Sequence, residues 1–313
     1  MTHINHVEVD ERQGQRIDNF LLSYFHYKAP KSLIYRLIRK GVIRVNKKRI
    51  TPSYKLQLGD IVKIPNIEIN ETKQTTINRE KSQFLEDYIL YEDEYFIVLN
   101  KPHGLAVHGG SGIDAGLIER LRTIRPDEKR LELVHRLDKA TSGCIIIAKK
   151  HPILTYFHEL LISKNIKKIY HAIVFGKWPK TLNKIDLPLY KFKRPSGEHA
   201  VKVSSEGKPS LTTVNIIKSF NNQATLVEAR PLTGRTHQLR VHLAHNKHPI
   251  IGDEKYANEQ INNAFYQNGH KRLFLHAHEL RFNHPINKKP MLIKAPYDDA
   301  FIACLDDLSN STD

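Results

Sequence analysis

The sequence predicts an α+β chain of two domains, a small one over residues 13–66 and a large one over 85–308, joined by a linker at 67–84. Three observations predict it. Short apolar runs separated by tight turns recur through the second half, which calls for neighbouring strands in a long, mixed, mostly antiparallel sheet. Stretches with apolar residues at helical spacing interrupt them and supply flanking helices. Between the two regions, IEINETKQTTINREKSQ carries no periodic apolar set and reads as a flexible connection.

The small domain opens with RIDNFLLSYF, whose Ile17, Phe20, Leu21, Leu22 and Phe25 fall at helical spacing. APKSLIYRLIRKG is a second helix: Pro30 precedes it, Ser32 is its expected N-cap and Gly41 stops it. Two short strand regions, VIRVN and YKLQLGDIVKIP, follow through NKKRI. This arrangement gathers Lys31, Arg36, Arg39, Lys40, Lys47, Lys48 and Arg49 near one surface. A solvated basic helix face and a polyanion-binding face both fit that pattern.

In the large domain, YFIVLN is a buried-type strand ended by Lys101 and Pro102. LELVHRLDKATSGCIIIAKK reads as two strands around the loop DKATSG. HPILTYFHELLIS is an amphipathic helix, and IKKIYHAIVFG is a strand. AVKVSSEGKPSLTTVNIIKSFNNQATLVEARP reads as three strands joined by the turns SSEGK and FNNQ. TGRTHQLRVHLAHN opens a helix after a glycine. HGGSG, His108 to Gly112, is either a flexible loop or a place where backbone approaches a ligand closely.

Composition narrows the partners. Lys and Arg number 49 against 33 Asp and Glu, a net charge of +16, which favours a polyanion. The two cysteines, Cys144 and Cys304, lie far apart without a CxxC pair, so a reducing compartment is expected. The first residues hold no apolar signal core, and no apolar run reaches membrane-spanning length, so the expected location is the cytoplasm. His237, His242 and His245 lack a carboxylate or cysteine at ligand spacing and read as packing or RNA-facing residues rather than a zinc site. GxxxxGK[ST] and GxGxxG are absent, so neither a metal nor a nucleotide cofactor is expected.

Chemistry concentrates in three segments. Asp138 follows Arg136 in a loop between strands, where an aspartate commonly caps backbone N–H groups but where site residues also gather. PLTGRTHQLRVH brings Arg235 and Arg240 near a helix N-terminus, and IKKIYHAIVFG brings Tyr170 on a strand. If the three converge, they form a carboxylate, a guanidinium and a phenol in a basic cleft. A carboxylate beside arginine typically has its pKa lowered by ~1–3 units and serves as nucleophile or general base. An adjacent aromatic ring can stack on a flipped base.

QRIDNFL, KSLIYRLIRKGVIRVNKKRI and LQLGDIVKI resemble the S4 (αL-type) RNA-binding module, which implies that the two helices and following loop bind structured RNA. YEDEYFIVLNKPHGLAVHGG, LVHRLDKATSG, KKIYHAIVFG and LTGRTHQLRVHLAHNKHPIIGD resemble, in order, the blocks of the RluA family of pseudouridine synthases. That resemblance implies a catalytic domain with a central cleft, needing no cofactor. It implies Asp138 as the nucleophile, attacking ribose C1′ or, alternatively, uracil C6, so that the C–N bond breaks and the base rejoins through C5. It further implies that Tyr170 stacks on the base, that Arg235 pairs with Asp138, and that Arg136 holds the flipped nucleotide's place. His135 and Thr141, in the same block as Asp138, are assigned to the substrate with Arg136. The implied partner is 23S ribosomal RNA or a pre-50S particle, and the expected protein is a monomer.

Three other readings compete. A synthase of the same family acting on other rRNA or tRNA uridines would share all four blocks. A non-catalytic rRNA clamp would need basic patches but not the trio Asp138, Tyr170 and Arg235. A nuclease or glycosidase would bring two acids or two histidines together, where this sequence singles out one aspartate.

Overall fold

The computed structural model describes residues 4–9, 13–25, 29–66, 77–109, 115–128 and 130–311. The small domain consists of β1 (Ile4–Glu8), α1 (Ile17–Tyr24), α2 (Lys31–Arg39), β2 (Arg44–Val45) and β3 (Ile61–Pro65). Its antiparallel sheet has the order β1-β3-β2. Ile17, Phe20 and Leu21 of α1 and Ile34 and Ile38 of α2 bury against Val45, Leu56, Val62 and Ile64. With one face of α2 committed to that core, the seven basic residues Lys31, Arg36, Arg39, Lys40, Lys47, Lys48 and Arg49 are all exposed. Asn46 and Lys47, at φ 49° and 65°, make the reversed turn after β2, where Val45 and Lys48 exchange backbone hydrogen bonds of 2.8 and 3.2 Å.

The boundaries differ from expectation in three places. The small domain reaches back to residue 4, because β1 pairs with β3 in the register Val7↔Val62. INHVE is too short to show a period. Pro30, not Ser32, occupies the N-cap of α2, and no side chain caps it. The connection is also shorter than 67–84. Residues 67–76 lie outside the described residues, but Glu80–Tyr88 forms a 3-10 helix with Ser82 and Leu85 buried. Leu85 packs with Ile97, Leu99 and Leu117, so this segment belongs to the large domain.

The large domain runs β4 (Ile89–Glu92), β5 (Phe96–Lys101), α3 (Leu117–Ile124), β6 (Glu132–Leu133), β7 (Ser142–Ala148), α4 (His151–Ile162), β8 (Lys167–Phe175), β9 (Lys184–Asp186), β10 (Leu189–Lys193), β11 (His199–Val203), β12 (Leu211–Phe220), β13 (Ala224–Pro231), α5 (Gln238–His245), α6 (Glu259–Tyr266), β14 (Leu275–Asn283), β15 (Pro290–Lys294) and α7 (Asp299–Asn310). Ten strands form one sheet in the order β4-β5-β7-β14-β8-β13-β12-β9, with β15 beside β14 and β6 beside β7. Its pairs are antiparallel except β7–β14, which makes the sheet mixed.

The run CIIIA explains why β7 is central. Cys144, Ile146 and Ala148 face the core under α4, where Phe96, Phe157 and Phe282 meet edge to face at 5.2–5.8 Å. Ile145 and Ile147 face the opposite core under α3, with Ile97, Leu99 and Leu121. A strand buried on both sides reads as a continuous apolar run. One expected pairing does not form. β11 does not join β12 through SSEGK; it pairs with β10 in a separate hairpin, Lys191↔Val201. The turn FNNQ does join β12 to β13. Among the described residues, no helix is long and apolar enough to cross a membrane.

Candidate active site

Asp138 sits between β6 and β7, and the Thr141 N–H closes its turn on the Asp138 carbonyl at 3.0 Å. The loop is fixed from both ends. On the β7 side, Gly143 has φ 107°, and a Cβ there would lie 2.3 Å from the Ala277 carbonyl oxygen. Only glycine lets β7 pass this close to β14. Ser142 Oγ meets His276 Nδ1 and Arg272 Nη2, each at 2.8 Å. On the other side, the Lys139 carbonyl accepts from Gly104 N at 3.0 Å and from Lys101 Nζ at 3.2 Å. Lys101 is fully buried and also donates to the Pro102 and Leu105 carbonyls, at 2.9 and 2.7 Å. Burial, with Arg272 nearby, pushes its ammonium down to about 7, against the opposing pull of Asp138.

The arginine that meets Asp138 is Arg240, not Arg235. Arg240 Nη1 donates to Asp138 Oδ2 at 3.2 Å. Its Nε and Nη2 donate to the two oxygens of Asp253, each at 2.8 Å, and the Asp253 side chain is fully buried. A guanidinium gripped on two N–H groups presents the third at a fixed angle. Tyr256 lies 5.2 Å from the guanidinium carbon, ring centroid to Cζ. Asp253 follows Gly252 at φ 77°, where a Cβ would collide with the Arg272 carbonyl at 1.7 Å. Arg235 is exposed before the first turn of α5, and its Nε donates to the Pro209 carbonyl at 3.2 Å. It lines the same cleft without reaching the aspartate. Helix phase decides this: Arg240 lies within α5 and turns inward, whereas Arg235 lies on the rim loop.

Tyr170 comes from β8, opposite Ala229. Burial, then the negative charge of Asp138, raises its phenol well above the ordinary value, so it stays neutral. Asp138, Tyr170, Ile169, Leu275, Arg235 and Arg240 share a cleft of about 1020 Å³. Its apolar floor and charged rim suit a flat heterocycle carrying a phosphodiester. Arg136 is exposed at the mouth and lines the clefts on both sides of Asp138.

The other members of the expected set divide. His135 and Thr141 both line the cleft. The His135 Nε2 also accepts the Ile146 N–H at 3.3 Å, and burial pushes the ring down to about 3; Thr141 is buried, and its backbone N–H closes the turn. His242 is buried between Ser210 Oγ at 3.0 Å and Thr212 Oγ1 at 2.9 Å, a packing role as expected. His237, expected to pack or to face RNA, instead stands at the site, with Nε2 3.6 Å from Asp138 Oδ2. Asp253 carries only one signal in the sequence, an acid directly after a glycine in IIGD. Gly110 to Gly112 of HGGSG lie outside the described residues.

Fold and site together place one carboxylate, held by an arginine, in a cleft of an enzyme-like α+β domain behind a basic RNA-binding-type module. The pattern of the RNA pseudouridylate synthase family matches residues 95–245, and the S4 domain pattern matches 15–62. Curated relatives named ribosomal large subunit pseudouridine synthase C are similar over nearly the whole length. The Yersinia pestis protein is 49% identical over 301 residues, covering 96% of this chain and 93% of the relative. The Escherichia coli (strain K12) protein is 46% identical over 305 residues, covering 96% and 95%. The solved structure of human RNA pseudouridylate synthase domain containing 4 superposes with a TM-score of 0.61 at 26% identity, covering 74% of this chain and 96% of that one. The chain belongs to the RNA pseudouridylate synthase family, with an S4 domain at its N-terminal side. It is therefore an isomerase of RNA uridine.

Proposed function

We propose that this chain converts specific uridines of 23S ribosomal RNA to pseudouridine, with Asp138 as nucleophile. The observation that carries the reading is the Asp138 carboxylate, held through Oδ2 by an arginine that Asp253 anchors, at the mouth of a cleft walled by the neutral Tyr170. The large-subunit substrate is supported by relatives of that name at 46–49% identity. It is supported too by the row of exposed cations from Lys31 to Arg49 in the S4 domain.

In this reading the target uridine leaves its stack and enters the cleft, with its ring against Tyr170. Arg136, exposed and with a guanidinium lining the mouth of the cleft, fills the space left in the RNA. A carboxylate oxygen attacks C1′, as in a retaining glycosidase, and the C1′–N1 electron pair leaves with uracil. The base turns within the cleft. C5 then attacks C1′ and displaces the carboxylate, C5 loses its proton, and N1 takes one up. No second acid is needed to expel the base, because uracil is retained rather than released. The half-buried Tyr170 ring bounds the space in which it turns.

Domain division follows the same logic: the S4 domain supplies phosphate contacts, and residues from about 78 onward carry the chemistry. The expected site of action is the cytoplasm, on rRNA or a pre-50S particle. The test is a pseudouridine map of large-subunit rRNA from a strain lacking the gene. Discrete sites should disappear and return with the wild-type gene. An unchanged map would overturn the assignment to this RNA.

A further inference from the structure

His237 is held in an uncommon way. It is the N-cap of α5 with φ 52°, the left-handed region that a non-glycine residue enters at a cost. Its Nδ1 lies 2.7 Å from the Tyr256 hydroxyl, and its Nε2 lies 3.6 Å from Asp138 Oδ2. The Tyr256 oxygen already accepts the Val201 N–H at 3.1 Å. With one Tyr256 lone pair taken, its hydroxyl hydrogen can point to His237 Nδ1. In that arrangement the proton of a neutral His237 is on Nε2, the nitrogen facing Asp138.

The ring is neutral for a physical reason. Burial lowers its basicity, and Arg240 and Lys255 lower it further, against the opposite pull of Asp138 and Asp253. Lys255 is in turn paired with Glu198, which brings the β10–β11 hairpin to the same cluster. Arg240 Nη1 and His237 Nε2 converge on the same atom, Asp138 Oδ2. Among the described residues, no donor bonds to Oδ1. At 3.6 Å the histidine contact is longer than a made hydrogen bond, and catalytic contacts commonly tighten when substrate is bound.

We propose that His237, fixed as its Nε2–H tautomer by Tyr256, is a positioning residue that joins Arg240 in reserving Oδ2 of Asp138, leaving Oδ1 as the attacking atom. The inference rests on Asp138 being the nucleophile. In the first step the Oδ1–C1′ bond forms, the C1′–N1 bond breaks, and its electron pair stays on uracil. Oδ2 becomes the carbonyl oxygen of the ester and keeps its two donors. A carboxylate free to rotate would offer either oxygen and would spend part of its time in unreactive orientations.

The test uses the full chain and a 23S rRNA transcript labelled with tritium at uridine C5, read as single-turnover tritium release. H237N keeps a residue suited to the left-handed backbone but is too short to reach Asp138. H237Q places an amide N–H near the Nε2 position. Y256F keeps the ring and removes the hydroxyl that sets the tautomer. Expected is a fall of about ten- to a hundredfold in the saturating rate for H237N, the value of one hydrogen bond to a charged group. H237Q should recover most of it, Y256F should fall between, and RNA affinity should stay unchanged in all three. The imidazole nitrogen shifts in NMR should report Nε2–H in wild type and a mixture in Y256F. If H237N misfolds, Y256F alone decides. Wild-type rates in Y256F and, where it folds, in H237N would overturn the proposal, as would weakened RNA binding at an unchanged saturating rate. D138N, run beside them, separates the two levels: turnover by D138N would remove Asp138 as nucleophile, whereas a dead D138N with a fully active Y256F would remove only His237.

Discussion

Asp138 and Arg240 meet at 3.2 Å, Oδ2 to Nη1, across 102 residues of sequence. The contact is stiff because the other side of the guanidinium is bound twice by the buried Asp253. Two chemical consequences follow from one arginine. It orients the candidate nucleophile, and it neutralises an acid that has no solvent.

R240A should therefore fail in two ways. It strips the orienting donor from Asp138, and it leaves Asp253 buried and unpaired, a cost typically of about 3–5 kcal/mol. R240K should keep more stability but lose the fixed fork, with a severe drop in rate. R235A should fold normally and keep its saturating rate within a few fold, since its side-chain bond is to the Pro209 carbonyl at the exposed rim. Urea unfolding and single-turnover rates on the three variants check this. A rate defect in R235A matching that in R240K would contradict the assignment.

Stability should fall in mild acid. His171, His276 and His278 cluster where β8 and β14 meet, and His171 and His278 stack at 4.1 Å. Burial holds all three below the ordinary value, His171 to about 3 and His276 to about 4. Their pKa is lower folded than unfolded, so below about 6.5 the unfolded chain binds more protons than the native one. This stability is complete above about pH 6.5 and drains as pH falls toward about 4. The lowered carboxylates Asp18 and Glu92 add their own effects at still lower pH. The buried Lys101, lowered to about 7, adds a fall of its own between about pH 8 and 7; the histidines are tested below it, where urea midpoints should drop further between about 6.5 and 4.5. A level midpoint across that lower window would refute the explanation.

G143A should be among the most damaging single changes outside the site. The added methyl would lie 2.3 Å from the Ala277 carbonyl at a φ of 107°. β7 and β14 must then separate, which displaces Ser142 and the Asp138 loop. Expected is insoluble protein or destabilisation above about 3 kcal/mol, in the range of severe packing and strain defects. Expression and thermal melting give the answer directly.

Exchanging Lys31, Arg36, Arg39 and Lys40 for alanine should weaken RNA binding and leave the saturating rate intact. Every cation–phosphate pairing removed in this way should flatten the slope of log K against log salt by about 0.7–0.9. An unchanged slope would show that this face does not meet the RNA.

Much of this arrangement is legible in the sequence because it is local. CIIIA has to be a strand buried on both faces, RIDNFLLSYF has to be a helix, and the Asp138 loop has to lie between strands. Long-range choices are not legible. Arg235 and Arg240 are equivalent in TGRTHQLR until the helix start is known to within a residue. Asp253 matters only because its buried carboxylate reaches back to α5. β11 carries the same alternation as its neighbours, and nothing local says that it pairs with β10 rather than β12. His237 reads in the sequence as a packing or RNA-facing residue because Tyr256 and Asp138, its two neighbours at the site, meet it only in the fold.

The most direct measurement is single-turnover pseudouridine formation on a 23S rRNA fragment by D138N beside wild type, with RNA affinity and thermal melting followed on the same preparations. Asparagine keeps the shape of the side chain and removes the nucleophilic charge. The prediction is wild-type folding, wild-type RNA affinity and no detectable turnover. Turnover above a few per cent of wild type would contradict the account at its centre.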